Sequence, residues 1–145
     1  MTENVLNFFE QPGADGDNKF IVGGTMETAT GTHLRVRTAS VLLPDVSSAS
    51  SLVYAFPGVT GEIQAIRAVQ NAGVTGANGV ISFTIGGGSP IGSTISILAG
   101  SSAGDVYTIN PSTATITGSQ EIEVTTDGGS TGVCPVTINI EILLD

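Results

Sequence analysis

The sequence predicts an all-β fold, an antiparallel β-sandwich of jelly-roll-like type preceded by an extended N-terminal arm and a stem of short strands. Three observations lead there. The first is the residue palette. Trp is absent and only 5% of residues are aromatic, so the core must be built from Val, Ile, Leu and Ala. Twenty glycines and many Thr and Ser leave little with high helix propensity, while Val, Ile and Thr suit a pleated, half-buried surface. The second is the C-terminal stretch, where Val136, Ile138, Ile140, Ile142 and Leu144 alternate with Thr137, Asn139 and Glu141. That is the two-residue period of a strand with one buried face, and a helix would scatter the same positions around its axis. The third is the repeated order of strand, Gly-rich turn and strand from Leu52 onward.

At 145 residues and 14.6 kDa the chain is one domain's worth of sequence, and a 40% hydrophobic fraction rules out general disorder. Residues 1–18 read as the arm. Val5, Leu6, Phe8 and Phe9 form an apolar cluster between polar neighbours, and Pro12 to Asn18 is rich in turn formers. The cluster either folds back to cap the sandwich or docks on another chain. Residues 19–44 read as the stem, with short strands at Lys19 to Val22, Thr25 to Thr28 and Leu34 to Arg37 separated by Gly23-Gly24 and Thr30-Gly31. Strands this short rarely stand alone, so they are expected to stack on neighbouring subunits or lie along the sandwich.

Residues 45–145 read as the sandwich, entered through a polar linker from Asp45 to Ser51. Its strands are expected at Leu52 to Phe56, Gly61 to Val69, Gly79 to Ile85, Thr94 to Leu98, Asp105 to Ile109, Glu121 to Thr126 and Val136 to Leu144. In the third of these, Ile81, Phe83 and Ile85 form the inward set. In the second, the apolar phase changes between Ile63-Ala65 and Ile66-Ala68, which predicts a bulge near Ala65 or Ile66. Gly86-Gly87-Gly88 predicts a chain reversal, and Asp127-Gly128-Gly129 predicts a hairpin before the last strand. Cys134, the sole cysteine, is read as a small buried apolar residue at the start of that strand, so no intramolecular disulfide exists.

Charge narrows the partners. Four Lys and Arg stand against 13 Asp and Glu, a formal charge of −9, and no basic residue follows Arg67. Such a surface repels phosphate backbones and anionic lipids, so neither nucleic acid nor membrane is expected. The opening residues are acids and amides, without the basic region and apolar run of a secretory leader, so a protein made soluble inside a cell is expected.

No catalytic constellation emerges, and no enzyme, cofactor or metal is expected. A Ser-His-acid triad would need His33, the one histidine, and no Gly-x-Ser-x-Gly elbow is present. Glu121 and Glu123 share a strand face, as the outward set around Ile122 and Val124. Asp15-Gly16-Asp17-Asn18 opens like a calcium loop but lacks the glycine at position 6 and the acid at position 12 that such loops use. Gly86-Gly87-Gly88 has no phosphate-loop spacing. His33, Arg35 and Arg37 share a strand parity and make a small cationic row. It is either a docking point for an acidic partner or a solvated face.

The run FPGVTGEIQAIRAVQNAGVTGANGVISFTIGG, followed by SSAGDVYTINPSTATITGSQEIEVTTDGGSTGVCPVTINIEILL, resembles the decoration (cement) proteins of tailed-bacteriophage heads, and KFIVGGTMETATGTHLRV resembles their short-strand stem. The likeness covers about Lys19 to Leu144 and is one of texture and strand order. It implies a homotrimer on the outer capsid surface, with the major capsid protein and further copies of the chain as partners. It also implies that Val5, Leu6, Phe8 and Phe9 anchor the arm and that Phe20, Val22, Met26, Leu34 and Val36 make trimer contacts. A different class remains open: a receptor- or glycan-binding module of a head or tail fibre. That module would need aromatic side chains at distal loops, for which Tyr54 and Tyr107 are the candidates.

Overall fold

β-Branched and small residues alternate with turn glycines along this chain, and the backbone answers with strands throughout. The computed structural model describes the backbone of residues 10–12, 18–20, 25–27, 33–111 and 114–145, and the side chains of 35–111 and 114–145. All regular structure among these residues is strand, β1 to β13. The chain divides into two compact units, Met1–Val36 and Arg37–Asp145.

In the first unit β1 (Glu10–Pro12) pairs antiparallel with β2 (Asn18–Phe20), placing Glu10 opposite Phe20. β3 (Thr25–Glu27) pairs antiparallel with the start of β4 (His33–Leu43), with Thr25 opposite Arg35 and Glu27 opposite His33. β4 is 11 residues long and runs across the division at Val36/Arg37 into the second unit. The sequence reading ended this strand at Arg37. It continues because Ala39, Val41 and Leu43 alternate inward while Thr38, Ser40 and Leu42 face out, and Leu43 is fully buried. Residues 37–44, expected in the stem, therefore lie with the sandwich.

The second unit continues with β5 (Leu52–Ala55), β6 (Gly61–Gln70), β7 (Gly79–Ile85), β8 (Ser89–Pro90), β9 (Ile95–Ile97), β10 (Val106–Ile109), β11 (Thr115–Ile116), β12 (Ile122–Thr126) and β13 (Val136–Leu144). One sheet orders its strands β4-β13-β6-β10 and the other β5-β12-β7-β9, with short β11 added beside β6 and short β8 beside β7. Numbering the eight main strands in chain order gives 1-8-3-6 and 2-7-4-5, the strand order of a jelly roll. Every main connection but one therefore passes from one sheet to the other, the exception being β7 to β9. The sandwich is a true jelly roll.

The inward row of β13, Val136, Ile138, Ile140 and Ile142, is fully buried, and Ile63 and Ile66 of β6, Ile81 and Phe83 of β7, and Ile122 and Val124 of β12 join it in one core. Each such side chain contributes about 1.5–3 kcal/mol relative to exposure. The expected bulge in β6 is present. Pairing slips between Glu141 and Ile142, whose partners are Ala65 and Ile63, so Gln64 has no residue opposite it. The slip lies between Ile63 on one side and Ala65, Ile66 and Ala68 on the other, and all four are buried in the same core.

Two local expectations are corrected. Asp127-Gly128-Gly129 does not close a hairpin, because β12 and β13 belong to different sheets and residues 127–135 arch between them. Turn chemistry is the same for both arrangements: Gly128 supplies a positive φ of 70° where an added Cβ would meet the Ala49 backbone nitrogen at 2.4 Å. Nor is Asp45 to Ser51 a linker, since Val46 is fully buried and its N–H donates to the Cys134 carbonyl at 3.0 Å. Cys134 itself is buried, as expected, but precedes β13 rather than opening it.

Candidate functional site

The jelly-roll path brings the connections 44–51, 71–78, 98–105 and 127–135 together, and they are bonded to one another. Val74 N–H donates to Ser101 O at 3.2 Å, Gly100 N–H to Val74 O at 2.7 Å, and Thr75 N–H to Thr131 O at 3.3 Å. Two carboxylates organise this group. Asp45 Oδ1 accepts the N–H of Ser47 at 2.9 Å and of Cys134 at 3.0 Å. Burial pushes the Asp45 carboxyl up, and these bonds together with the Ser47 hydroxyl outweigh it and hold it below its ordinary value. Asp127 Oδ1 accepts the N–H of Val80 and of Gly129, each at 2.9 Å, and those two bonds lower its carboxyl. The buried Cys134 thiol donates to Ala72 O at 3.2 Å, and desolvation raises its pKa. The buried hydroxyls of Ser101 and Ser130 in the same group have no hydrogen-bond partner among the described residues.

The remaining connections are more open. Between β8 of one sheet and β11 of the other lies a groove of about 500 Å³, lined by Ile85, Ser89, Pro90, Ile91, Ala114, Thr115, Thr117 and Gln120. Gly86 and Gly87, with φ of 57° and 75°, reverse the chain from β7 into β8 as the triple glycine predicts. Ile85 and Ile91 are each only 7% exposed. The opposite wall is a tight turn: Gln120 N–H donates to Thr117 O at 3.0 Å, and Gln120 Oε1 accepts from the Thr117 N–H at 2.9 Å and the Thr117 hydroxyl at 3.1 Å. Sequence reasoning missed this groove. Its polar residues are ordinary Ser, Thr and Gln scattered over 32 positions, with no motif to collect them.

A second surface feature is a ridge on β5, an edge strand whose one neighbour is β12. Leu52 and Tyr54 stand on its outer face at 43% and 54% exposure, and Phe56, just past the strand's end, is 65% exposed. Tyr54 stands opposite Glu123. Partial desolvation and then the Glu123 carboxylate push the Tyr54 phenol up. Tyr107, the other candidate aromatic, is half-buried on β10, so the two tyrosines do not form one patch.

Of the residues read as partner contacts, Arg35, Val36 and Arg37 are exposed on β4. His33 and Leu34 fall on β4, Met26 on β3 and Phe20 on β2, where only the backbone is described, and Val5, Leu6, Phe8, Phe9 and Val22 lie outside the described residues. Arg67 is paired with Glu141, a diagonal neighbour across β6 and β13. Among the described residues no group of three His, Cys, Asp or Glu is placed to hold a metal, and no helix is long and apolar enough to cross a membrane.

No family model matches the chain, and no curated protein matches it. Among solved structures it is similar to an exo-β-1,3-galactanase from Phanerochaete chrysosporium with galactose, at 13% identity and a TM-score of 0.38. That alignment covers 87% of this chain and 31% of the galactanase, so the chain spans under a third of that protein's length.

Proposed function

We propose that the chain is a non-catalytic capsid decoration protein, a homotrimer on the outside of a phage head that binds the major capsid protein and holds neighbouring subunits together. The observation that carries the reading is β4. In an acidic chain of charge −9, two of the four Lys and Arg residues stand exposed at the start of this strand, at Arg35 and Arg37, in register with His33. The same strand ends in the core at Leu43 and lies beside β13 in the sheet. Arg37, the member of this cationic row in the second unit, thus stands on the same strand as Leu43 of the core. An acidic capsid surface would meet it with complementary charge, which steers and registers the contact.

Three such docking strands in a trimer would engage several capsid subunits at once, so losing one contact leaves the others to hold the particle. In this reading the arm residues Val5, Leu6, Phe8 and Phe9 anchor to the shell. Phe20, Val22, Met26, Leu34 and Val36 make the trimer contacts.

The test is a mass measurement by light scattering joined to rebinding of stripped or expanded empty capsids. The reading expects a trimer that rebinds; a monomer without capsid affinity refutes it. Deleting residues 1–18 is expected to abolish rebinding while β-type circular dichroism persists, and retained rebinding would remove the arm from the anchor. Arg35→Glu with Arg37→Glu is expected to weaken rebinding and to flatten its salt dependence.

A further inference from the structure

The groove between β8 and β11 has a chemistry that a docking role on a capsid does not use. Its base is apolar, with Ile85 and Ile91 almost fully covered by neighbours and Pro90 and Ala114 beside them. Its rim carries the exposed hydroxyls of Ser89 and Thr115. The Gln120 carboxamide is already oriented. Its oxygen is held by two donors from Thr117, which fixes the amide so that Nε2, with its two N–H groups, points the other way. An added Cβ on Gly86 would stand 2.8 Å from that Nε2, so only a residue without a side chain leaves the carboxamide its place. Among the described residues the Nε2 hydrogens make no hydrogen bond and no ionisable side chain lines the groove.

We propose that this groove binds a neutral saccharide unit, with the CH face of the sugar ring on Ile85, Pro90 and Ile91 and its hydroxyls on Gln120 Nε2, Ser89 and Thr115. A volume of about 500 Å³ lies within the range of small-ligand sites. A charged ligand would lose water with no opposite charge to meet it, and the −9 protein disfavours anionic sugars at a distance. What remains is a neutral molecule that alternates apolar faces with hydroxyls. The platform extends past the groove. The 65% exposed ring of Phe56 lies 3.7 Å from an added Cβ on Gly58, and the Gly58 carbonyl lies 3.8 Å from one on Gly118, next to groove-lining Thr117. A second sugar of a longer chain would stack there.

The experiment is an amide NMR titration of the full chain with methyl glucoside, methyl galactoside, methyl mannoside and methyl N-acetylglucosaminide, with glucuronate as the anionic comparison. At least one neutral glycoside is expected to shift the amides of residues 85–91 and 114–120 and the Gln120 side-chain NH₂, with glucuronate at least about tenfold weaker. Gln120→Glu keeps an oxygen for Thr117 but replaces the donor, and is expected to weaken the neutral glycoside at least about tenfold with the rest of the spectrum unchanged. Phe56→Ala is expected to weaken a disaccharide of the same sugar and leave the monosaccharide unaffected. Absence of shifts with every neutral sugar, shifts confined to another surface, or equal binding by Gln120→Glu would overturn the proposal. Capsid rebinding does not enter this readout, so the two readings stand or fall separately.

Discussion

Asp45 Oδ1 accepts the backbone N–H of Cys134 at 3.0 Å, joining the connection after β4 to the residue that leads into β13. The two strands thus held are neighbours in one sheet although they stand at opposite ends of the sandwich sequence. Removing the carboxylate leaves the Cys134 and Ser47 N–H groups without their partner. Asp45→Ala is expected to cost about 1–3 kcal/mol in urea unfolding, with the slope unchanged.

The same bonds set an acid limit. Asp45 and Asp127 both titrate below their ordinary value of 3.8 in the folded protein. Their stabilisation is therefore complete above the unfolded-state pKa and lost as pH falls through the lower folded-state values. Stability measured from neutral pH downward should fall below about pH 4. In the double variant Asp45→Ala, Asp127→Ala, that acid limb should be shallower, and an unchanged limb would assign the acid sensitivity elsewhere.

Two glycines should respond in opposite directions. A Cβ on Gly61 would stand 2.1 Å from the Leu143 carbonyl oxygen, a backbone atom that cannot step aside. Gly61→Ala is expected to destabilise by about 1–3 kcal/mol or more. Gly88 has nothing within 4 Å of an added Cβ and no positive φ. Gly88→Ala should be neutral or stabilising by up to about 1 kcal/mol, since it restricts the unfolded chain alone.

Cys134 should be chemically silent. It is fully buried, its thiol donates to Ala72 O, and its pKa is raised. Labelling by a disulfide reagent is expected to follow global unfolding and to accelerate with denaturant in step with it. Complete labelling within the mixing time under native conditions would contradict this.

Tyr54 and Glu123 can be separated by titration. In a Tyr107→Phe background, which leaves Tyr54 as the one phenol, Glu123→Gln should bring the ultraviolet titration of Tyr54 down toward its ordinary value of 10.0. An unmoved curve would leave desolvation and the Glu121 carboxylate as what raises it.

The sequence by itself determined where strands form and which faces they bury. The alternation in Val136–Leu144, the row Ile81, Phe83, Ile85 and the phase change in Gly61–Gln70 are local patterns, and each reappears at its own residues. Ala39, Val41 and Leu43 carry the same alternation and Pro44 marks its end, yet the reading stopped β4 at Arg37. Pairing was not legible. β4 lies beside β13 and β5 beside β12, partners separated by most of the domain, and nothing in a strand's own alternation says which distant edge it will meet. The turn Asp127-Gly128-Gly129 shows the consequence, because a reversal within one sheet and an arch between two need the same backbone angles. The groove follows from pairing alone. Ser89 and Gln120 line opposite walls of it because β8 and β11 end up as short edges of facing sheets. Burial of the isoleucine rows decided that arrangement, since only closing the two sheets over one another removes both faces from water.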